Sequence, residues 1–315
     1  MSESVRLVPP QNIRPNPENP RIIFREDELT SLMDSISQQG ILVPLTLYEE
    51  QDGFIILDGE RRWRCSLKLG LDTVPTIIQP KPERLQNIMM MFAIHNARKD
   101  WDPLPTAMKL GDLERELTER RGKAPTEATL AASASMSVGE IRRLRRILAL
   151  PQTEKDRLLQ ELEKPRHLQI LTVDHFLETR RGVDQLVKKG VWPKARAETL
   201  VRSIIQKFED KVEKSTVGPR VLPKIARAYE RRDILIEDAN RVIERLITSP
   251  NYSLERAFQD IAVVPEENRK IESSARNLAQ RIEIFVRDHE IASPEALEEL
   301  QKLSALLLRI LKIDA

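Results

Sequence analysis

The stretch FIILDGERRWRCSLKLG, residues 54–70, decides the N-terminal fold. FIIL reads as a buried strand, and the segment from Arg61 to Leu69 reads as a short helix closed by Gly70. Between them Gly59 precedes a carboxylate, and three arginines fall within four positions: Arg61, Arg62 and Arg64. A glycine at this turn lets backbone approach a ligand closely. The helix start offers unpaired N–H groups and the positive end of its dipole, and arginines add charge-assisted hydrogen bonds. That combination suits a phosphate chain. The plainer alternative is a surface helix whose arginines pair with nearby carboxylates.

Working outward, residues 1–80 read as a small α/β unit. VRLV is a short strand, and PPQNIRPNPENPR is a Pro/Asn-rich loop. Leu29, Leu32, Met33 and Ile36 recur at helical spacing and end at Gly40 as a left-handed cap. PLTLYEE, QDG and FIIL then form a hairpin signal, and DTVPTII is a further strand. From about residue 82 the pattern is helical almost to the end. The expected fold class is therefore α+β. A small α/β domain over 1–82 has its last helix running on to about 100, a helical domain follows over 100–190, and a C-terminal helical domain over 195–315. The final helix has Ser293 as N-cap, Pro294 at N1, and Leu297, Leu300, Leu303, Leu307, Ile310 and Leu311 on one stripe, a bundle or self-association face.

The segment TEATLAASASMSVGEIRRLRRILALP, residues 126–151, carries a helix-turn-helix signal. Leu130, Ala131 and Ala134 suit a closely packing first helix, although Ser135 stands where the turn often has Gly. Ser137 and Glu140 have capping-box spacing, and Val138 opens the second helix. Ile141, Leu144 and Leu148 are its expected buried stripe. Arg142, Arg143, Arg145 and Arg146 then face outward, as a major-groove recognition helix requires.

Net charge is +2, but it is unevenly spread: residues 1–80 hold 8 basic and 12 acidic side chains, residues 81–315 hold 43 and 37. A polyanion would be met by patches. The single cysteine, Cys65, excludes an internal disulfide and a cysteine metal cluster. His95, His167, His175 and His289 lack metal-ligand spacing. No secretory leader and no apolar run of membrane-spanning length is visible, so a cytoplasmic protein with no membrane partner is expected.

The segment QQGILVPLTLYEEQDGFIILDGERRWRCSLKLGLDTVPTII, residues 38–78, resembles the N-terminal domain of the ParB chromosome- and plasmid-partitioning family, which is fold-related to sulfiredoxin. Gly40-Ile41-Leu42-Val43-Pro44 matches a first family box, and Gly59-Glu60-Arg61-Arg62-Trp63-Arg64 matches the GERRxR box in full. The helix-turn-helix follows at the family's distance. The resemblance implies CTP, or another nucleoside triphosphate, bound with Mg²⁺. The second box would hold the phosphates, and Gly40, Ile41 and Pro44 would lie beside the base.

It further implies a nucleotide-gated homodimeric clamp on double-stranded DNA, nucleoid- or plasmid-associated, with a partition ATPase as a further partner. The third box departs from the family. In AIHNARKDWDP, Asn96 and Arg98 match, or Arg98, Asp100 and Pro103 match with a one-residue shift. His95 or Ile94 stands where the family has a Glu linked to Mg²⁺ and hydrolysis. Asn96 is left as a Mg²⁺ candidate; His suits a hard cation poorly, so nucleotide binding is expected ahead of turnover, with weak CTP hydrolysis the most the site would support. Two alternatives remain: a helix-turn-helix transcriptional regulator with a decayed nucleotide site, and a kinase or nuclease on the same fold using Glu60. Sulfiredoxins carry their reactive cysteine where this chain has Glu60, so reductase chemistry is not expected.

Overall fold

A computed structural model describes residues 4–96, 102–261, 263–288 and 293–311. The N-terminal unit contains β1 (Arg6–Val8), β2 (Ile13–Arg14), α1 (Glu26–Gln39), β3 (Leu45–Glu50), β4 (Gly53–Asp58), α2 (Glu60–Lys68) and β5 (Val74–Gln79). The strands form one mixed sheet in the order β1-β5-β3-β4-β2. β3 pairs antiparallel with β4 and parallel with β5. β1 closes one edge antiparallel to β5, and β2 closes the other parallel to β4. The β3–β4 turn needs glycine: a Cβ on Gly53, at φ +134°, would lie 2.5 Å from the Asn12 carbonyl oxygen.

Alternation along β3 and β4 sends side chains to two covered faces. Leu45, Leu47 and Ile56 pack with Val8, Ile13, Val74 and the Trp63 ring of α2. Tyr48, Ile55 and Leu57 pack instead against Met91 of α3 (Arg84–Asn96). α1 lies on α2 through Leu29, Ile36 and Cys65. Cys65 is fully buried, with Sγ 3.8 Å from the Leu29 carbonyl oxygen, and burial pushes its thiol pKa up. It is a core residue.

Helices account for nearly all the rest: α4 (Pro103–Arg121), α5 (Glu127–Ala134), α6 (Val138–Leu148), α7 (Gln152–Glu163), α8 (Val173–Lys188), α9 (Ala197–Glu209), α10 (Val221–Glu230), α11 (Ile236–Thr248), α12 (Leu254–Gln259), α13 (Val263–Arg287) and α14 (Pro294–Leu311). One buried core runs from Ile88 and Phe92 of α3 to Leu254 and Ala257 of α12. It continues through residues 190–195, where the sequence suggests a domain boundary. α13 and α14 differ: Ile271, Ile284, Val286, Leu297, Leu306 and Leu307 are exposed. Among the described residues no helix is long and apolar enough to cross a membrane.

The α/β unit is joined to the helices by a buried arginine. Arg25 precedes α1, and its side chain is only 3% exposed. It donates to both Asp102 carboxylate oxygens at 3.0 and 3.1 Å, to Glu28 at 3.0 Å and to the Leu162 carbonyl at 3.2 Å. Arg166 adds a further bond to Glu28 at 2.9 Å. Segments far apart in sequence thus meet on one planar fork.

Candidate functional site

The turn from β4 into α2 is built around Gly59, which has φ 101° and ψ 20° and occupies the N-cap of α2. It has no side chain to cap the helix, and the first intrahelical bond is Trp63 N–H to the Gly59 carbonyl, 3.0 Å. The N–H groups of Glu60, Arg61 and Arg62 therefore lack intrahelical acceptors. The Trp63 indole anchors this turn by donating to the Pro10 carbonyl at 2.9 Å.

The four charged side chains of the box separate into different jobs. Glu60 is buried. One of its oxygens accepts from Arg64 Nε at 2.9 Å and Nη2 at 2.6 Å, the other from Asn19 Nδ2 at 2.7 Å. Arg64 also stacks on the Phe24 ring, 4.0 Å from its centroid. These two residues stiffen the helix start. Arg61 donates from Nη2 to the Glu28 carbonyl at 2.7 Å, while its Nε is buried with no hydrogen-bond partner. Arg62 donates to the carbonyls of Val43 and Pro44, the latter at 3.0 Å, and to Asp58 at 3.1 Å.

Arg62 thereby ties the GERRWR turn to the Gly40–Pro44 segment. Gly40 closes α1 by donating to the Ile36 carbonyl at 2.8 Å. Ile41 and Pro44 are half-buried, and Leu42 and Val43 are exposed beside them. Eight of the ten predicted nucleotide residues thus fall in these two adjoining segments. Asn96 ends α3, but its side chain and all of Arg98 lie outside the described residues. No group of three or more His, Cys, Asp or Glu side chains suited to a metal ion occurs among the described residues. The site residues that sequence reading missed are Asn19, Phe24, Glu28 and Asp58. Only Asp58 had a local signal, its place directly before Gly59.

The second predicted site is α5, residues 135–137 and α6. Ser135 adopts a left-handed conformation at φ 53°. The capping box is formed: Glu140 accepts from Ser137 N–H at 2.8 Å, and Ser137 Oγ accepts from Glu140 N–H at 3.2 Å. The Ser137 side chain and then its backbone hold the Glu140 carboxyl below its ordinary pKa. Val138 is half-buried. The buried stripe of α6 is Ile141, Leu144 and Ile147; Leu148, expected there, is only half-buried. Its methyl groups instead press on α4, where a Cβ added to Gly111 would lie 3.1 Å from Leu148 Cδ2.

Three of the four arginines on α6 are engaged. Arg142 meets Glu127 at 2.7 Å, Arg143 meets Asp174 at 3.0 Å, and Arg145 meets Glu114. Arg146 is exposed, with no charge partner among the described residues. These contacts orient α6 on α5, α4 and α8. A groove of about 550 Å³ between α8 and α10 is lined by Arg181, Lys189, Arg220 and Arg227, with Arg220 paired to Glu178 of the same groove and Lys189 to Glu230.

Comparison with known proteins bears on the N-terminal unit. The ParB N-terminal domain family model matches residues 1–95, the span containing the sheet, the GERRWR turn and almost all of α3. The chromosome-partitioning protein Spo0J of Thermus thermophilus is 36% identical over 126 residues, 38% of this chain and 46% of that one. Stage 0 sporulation protein J of Bacillus subtilis is 28% identical over 214 residues, 68% and 72% of the two chains. The nucleoid occlusion protein of Geobacillus sp. is 33% identical over 179 residues, 54% and 59%. The chain thus spans about half the length of the first of these relatives. The matched span contains the glycine-led arginine turn and partitioning proteins align with the chain, so residues 1–95 form an N-terminal domain of the ParB partitioning type.

Proposed function

We propose that this protein binds a nucleoside triphosphate, CTP by family resemblance, at the β4–α2 turn and double-stranded DNA at α6. The two ligands together would favour a homodimeric clamp that serves DNA partitioning. The observation that carries this reading is the left-handed Gly59 cap, which leaves three N–H groups at a helix start flanked by Arg61 and Arg62. The apolar Ile41–Val43 segment, tied to the same site through Arg62, supplies a surface for a base. For DNA, Ser137 and Glu140 fix the start of α6, Val138 seats it, and Arg142, Arg143, Arg145 and Arg146 supply phosphate and base contacts. Mg²⁺ would travel with the triphosphate, with Asn96 as the third-box candidate to hold it and Arg98 as a further nucleotide residue. A partition ATPase is the further partner the family resemblance supplies.

One observation favours the regulator with an inactive nucleotide site: Arg61, Arg62 and Arg64 all have acceptors within the chain. The catalytic reading of Glu60 fits less well, because both its oxygens are held by Asn19 and Arg64. Calorimetric titration with CTP, ATP, GTP and UTP in Mg²⁺, for the wild type and Arg62→Ala, tests the proposal. Binding of CTP that is lost in Arg62→Ala is the expected result. No heat with any triphosphate, with and without DNA, overturns the nucleotide half and leaves a DNA-binding regulator.

A further inference from the structure

The phosphate-binding arginine carries an anion of its own. A Cβ on Gly59 would lie 3.0 Å from Arg62 Nη2 and 3.2 Å from its Cζ, so the guanidinium folds back over the cap residue of α2. That is the ground an incoming phosphate oxygen would need. Three acceptors hold it there. Nη1 donates to the Val43 and Pro44 carbonyls, and Nη2 meets Asp58 Oδ2 at 3.1 Å. Asp58 is the last residue of β4 and is paired across the sheet with Thr46, so its backbone is fixed at the mouth of the turn. The side chains of Arg62 and Asp58 are 16% and 25% exposed, which shields the pair in part from solvent.

A carboxylate oxygen and a phosphate oxygen present the same acceptor to a guanidinium. Both cannot hold the same N–H groups. A phosphate oxygen that takes the Nη2 group of Arg62 competes there with Asp58, and a carboxylate released by it stands beside a polyanion, a like-charge contact.

We propose that Asp58 is an internal competitor for Arg62, a residue that sets the affinity of this site for triphosphates and makes binding depend on a divalent cation. The inference rests on the triphosphate reading above. In the bound state the cation offsets the repulsion between the released carboxylate and the phosphates. A side chain one residue before the GERRWR box, outside the box itself, thereby determines how much nucleotide is needed to load the site.

The test is calorimetric titration of the full chain with CTP and with inorganic triphosphate, each with Mg²⁺ and with EDTA. The variants are Asp58→Asn, which keeps an acceptor of the same shape without the charge, and Arg62→Ala. Thermal melts establish that both fold. Asp58→Asn is expected to bind on the order of fivefold more tightly than wild type in EDTA, with a smaller gain on adding Mg²⁺. Equal or weaker binding by Asp58→Asn in EDTA, where the wild type binds, overturns the competitor role. Weakening confined to Mg²⁺ also overturns it, because Asp58 would then be a cation ligand. Failure of wild type and Asp58→Asn alike to bind any triphosphate overturns the nucleotide reading itself, an outcome distinct from the other two.

Discussion

Glu60 and Ser135 illustrate how single side chains divide the labour at the two sites. Glu60 sits in the first turn of α2 and would repel a bound phosphate were it free. Instead its charge is spent on Arg64 and Asn19, which leaves the N–H groups of the turn as the local attraction. Glu60→Ala is expected to destabilise the fold by about 2–3 kcal/mol, since Arg64 and Asn19 lose their shared partner and Arg64 is already one-third exposed. Urea denaturation checks this. A catalytic role would instead predict lost turnover with stability unchanged. Ser135 holds a backbone conformation that disfavours any residue with a Cβ. Ser135→Gly should therefore raise stability by roughly 0.5–1 kcal/mol, because relief of the clash exceeds the extra entropy glycine loses on folding; a higher urea midpoint at unchanged slope would show it. Gly59 and the arginines were legible because residue type and order announce them. Asn19 and Glu28 were not, because their parts are set by three-dimensional proximity: Asn19 reaches Glu60 across 41 residues, and Glu28 acts through its backbone carbonyl.

At the scale of elements, α6 and α8 depend on their first turns. Ser137→Ala removes one arm of a capping box and should cost about 1 kcal/mol, read as a lower melting temperature. α8 begins with a comparable device in which His175 Nδ1 accepts from Thr172 N–H at 2.9 Å. Burial, against the ring of Phe208, pushes the His175 pKa below its ordinary 6.5, opposed by the neighbouring Asp174. The unfolded chain therefore binds the extra proton first. This contribution to stability is whole above about pH 6.5 and is lost as pH falls towards the depressed folded value. The melting temperature should drop across that window, and His175→Asn should flatten the dependence. Long amphipathic helices and the β3–β4 hairpin were readable from periodicity. β2 was not, because two residues in a proline-rich loop carry no period, and their pairing with β4 is parallel and non-local. On α6 the stripe was displaced to Ile147, because small Gly111 on α4 accepts Leu148 from the side.

At the scale of the whole molecule, Arg25 is a contact sensitive to substitution. Its buried guanidinium satisfies Glu28 and Asp102 together, so Arg25→Met would leave two carboxylates without that partner and should cost about 3–5 kcal/mol by urea titration. Arg25→Lys should recover little of it, since an ammonium cannot reproduce the planar fork. Nothing in the sequence marks Arg25, which stands in an unremarkable IIFRED stretch. The division into α/β and helical parts was legible; the uninterrupted core across residues 190–195 was not, because loop composition does not reveal how helices on either side pack.

α3 has one side against the sheet, through Met91, and another in the helical core, through Ile88 and Phe92. It is a party wall, owned by two rooms. A gene fragment ending at residue 82 would strip Tyr48, Ile55 and Leu57 of their cover and yield a sticky sheet. One ending after Asn96 would keep that cover yet bare Ile88 and Phe92 to water. The α/β unit is thus recognisable as a module in sequence space although its last helix is shared with the helical core. Any recombination that transplants it would have to bring a helical neighbour able to close the far side of the wall.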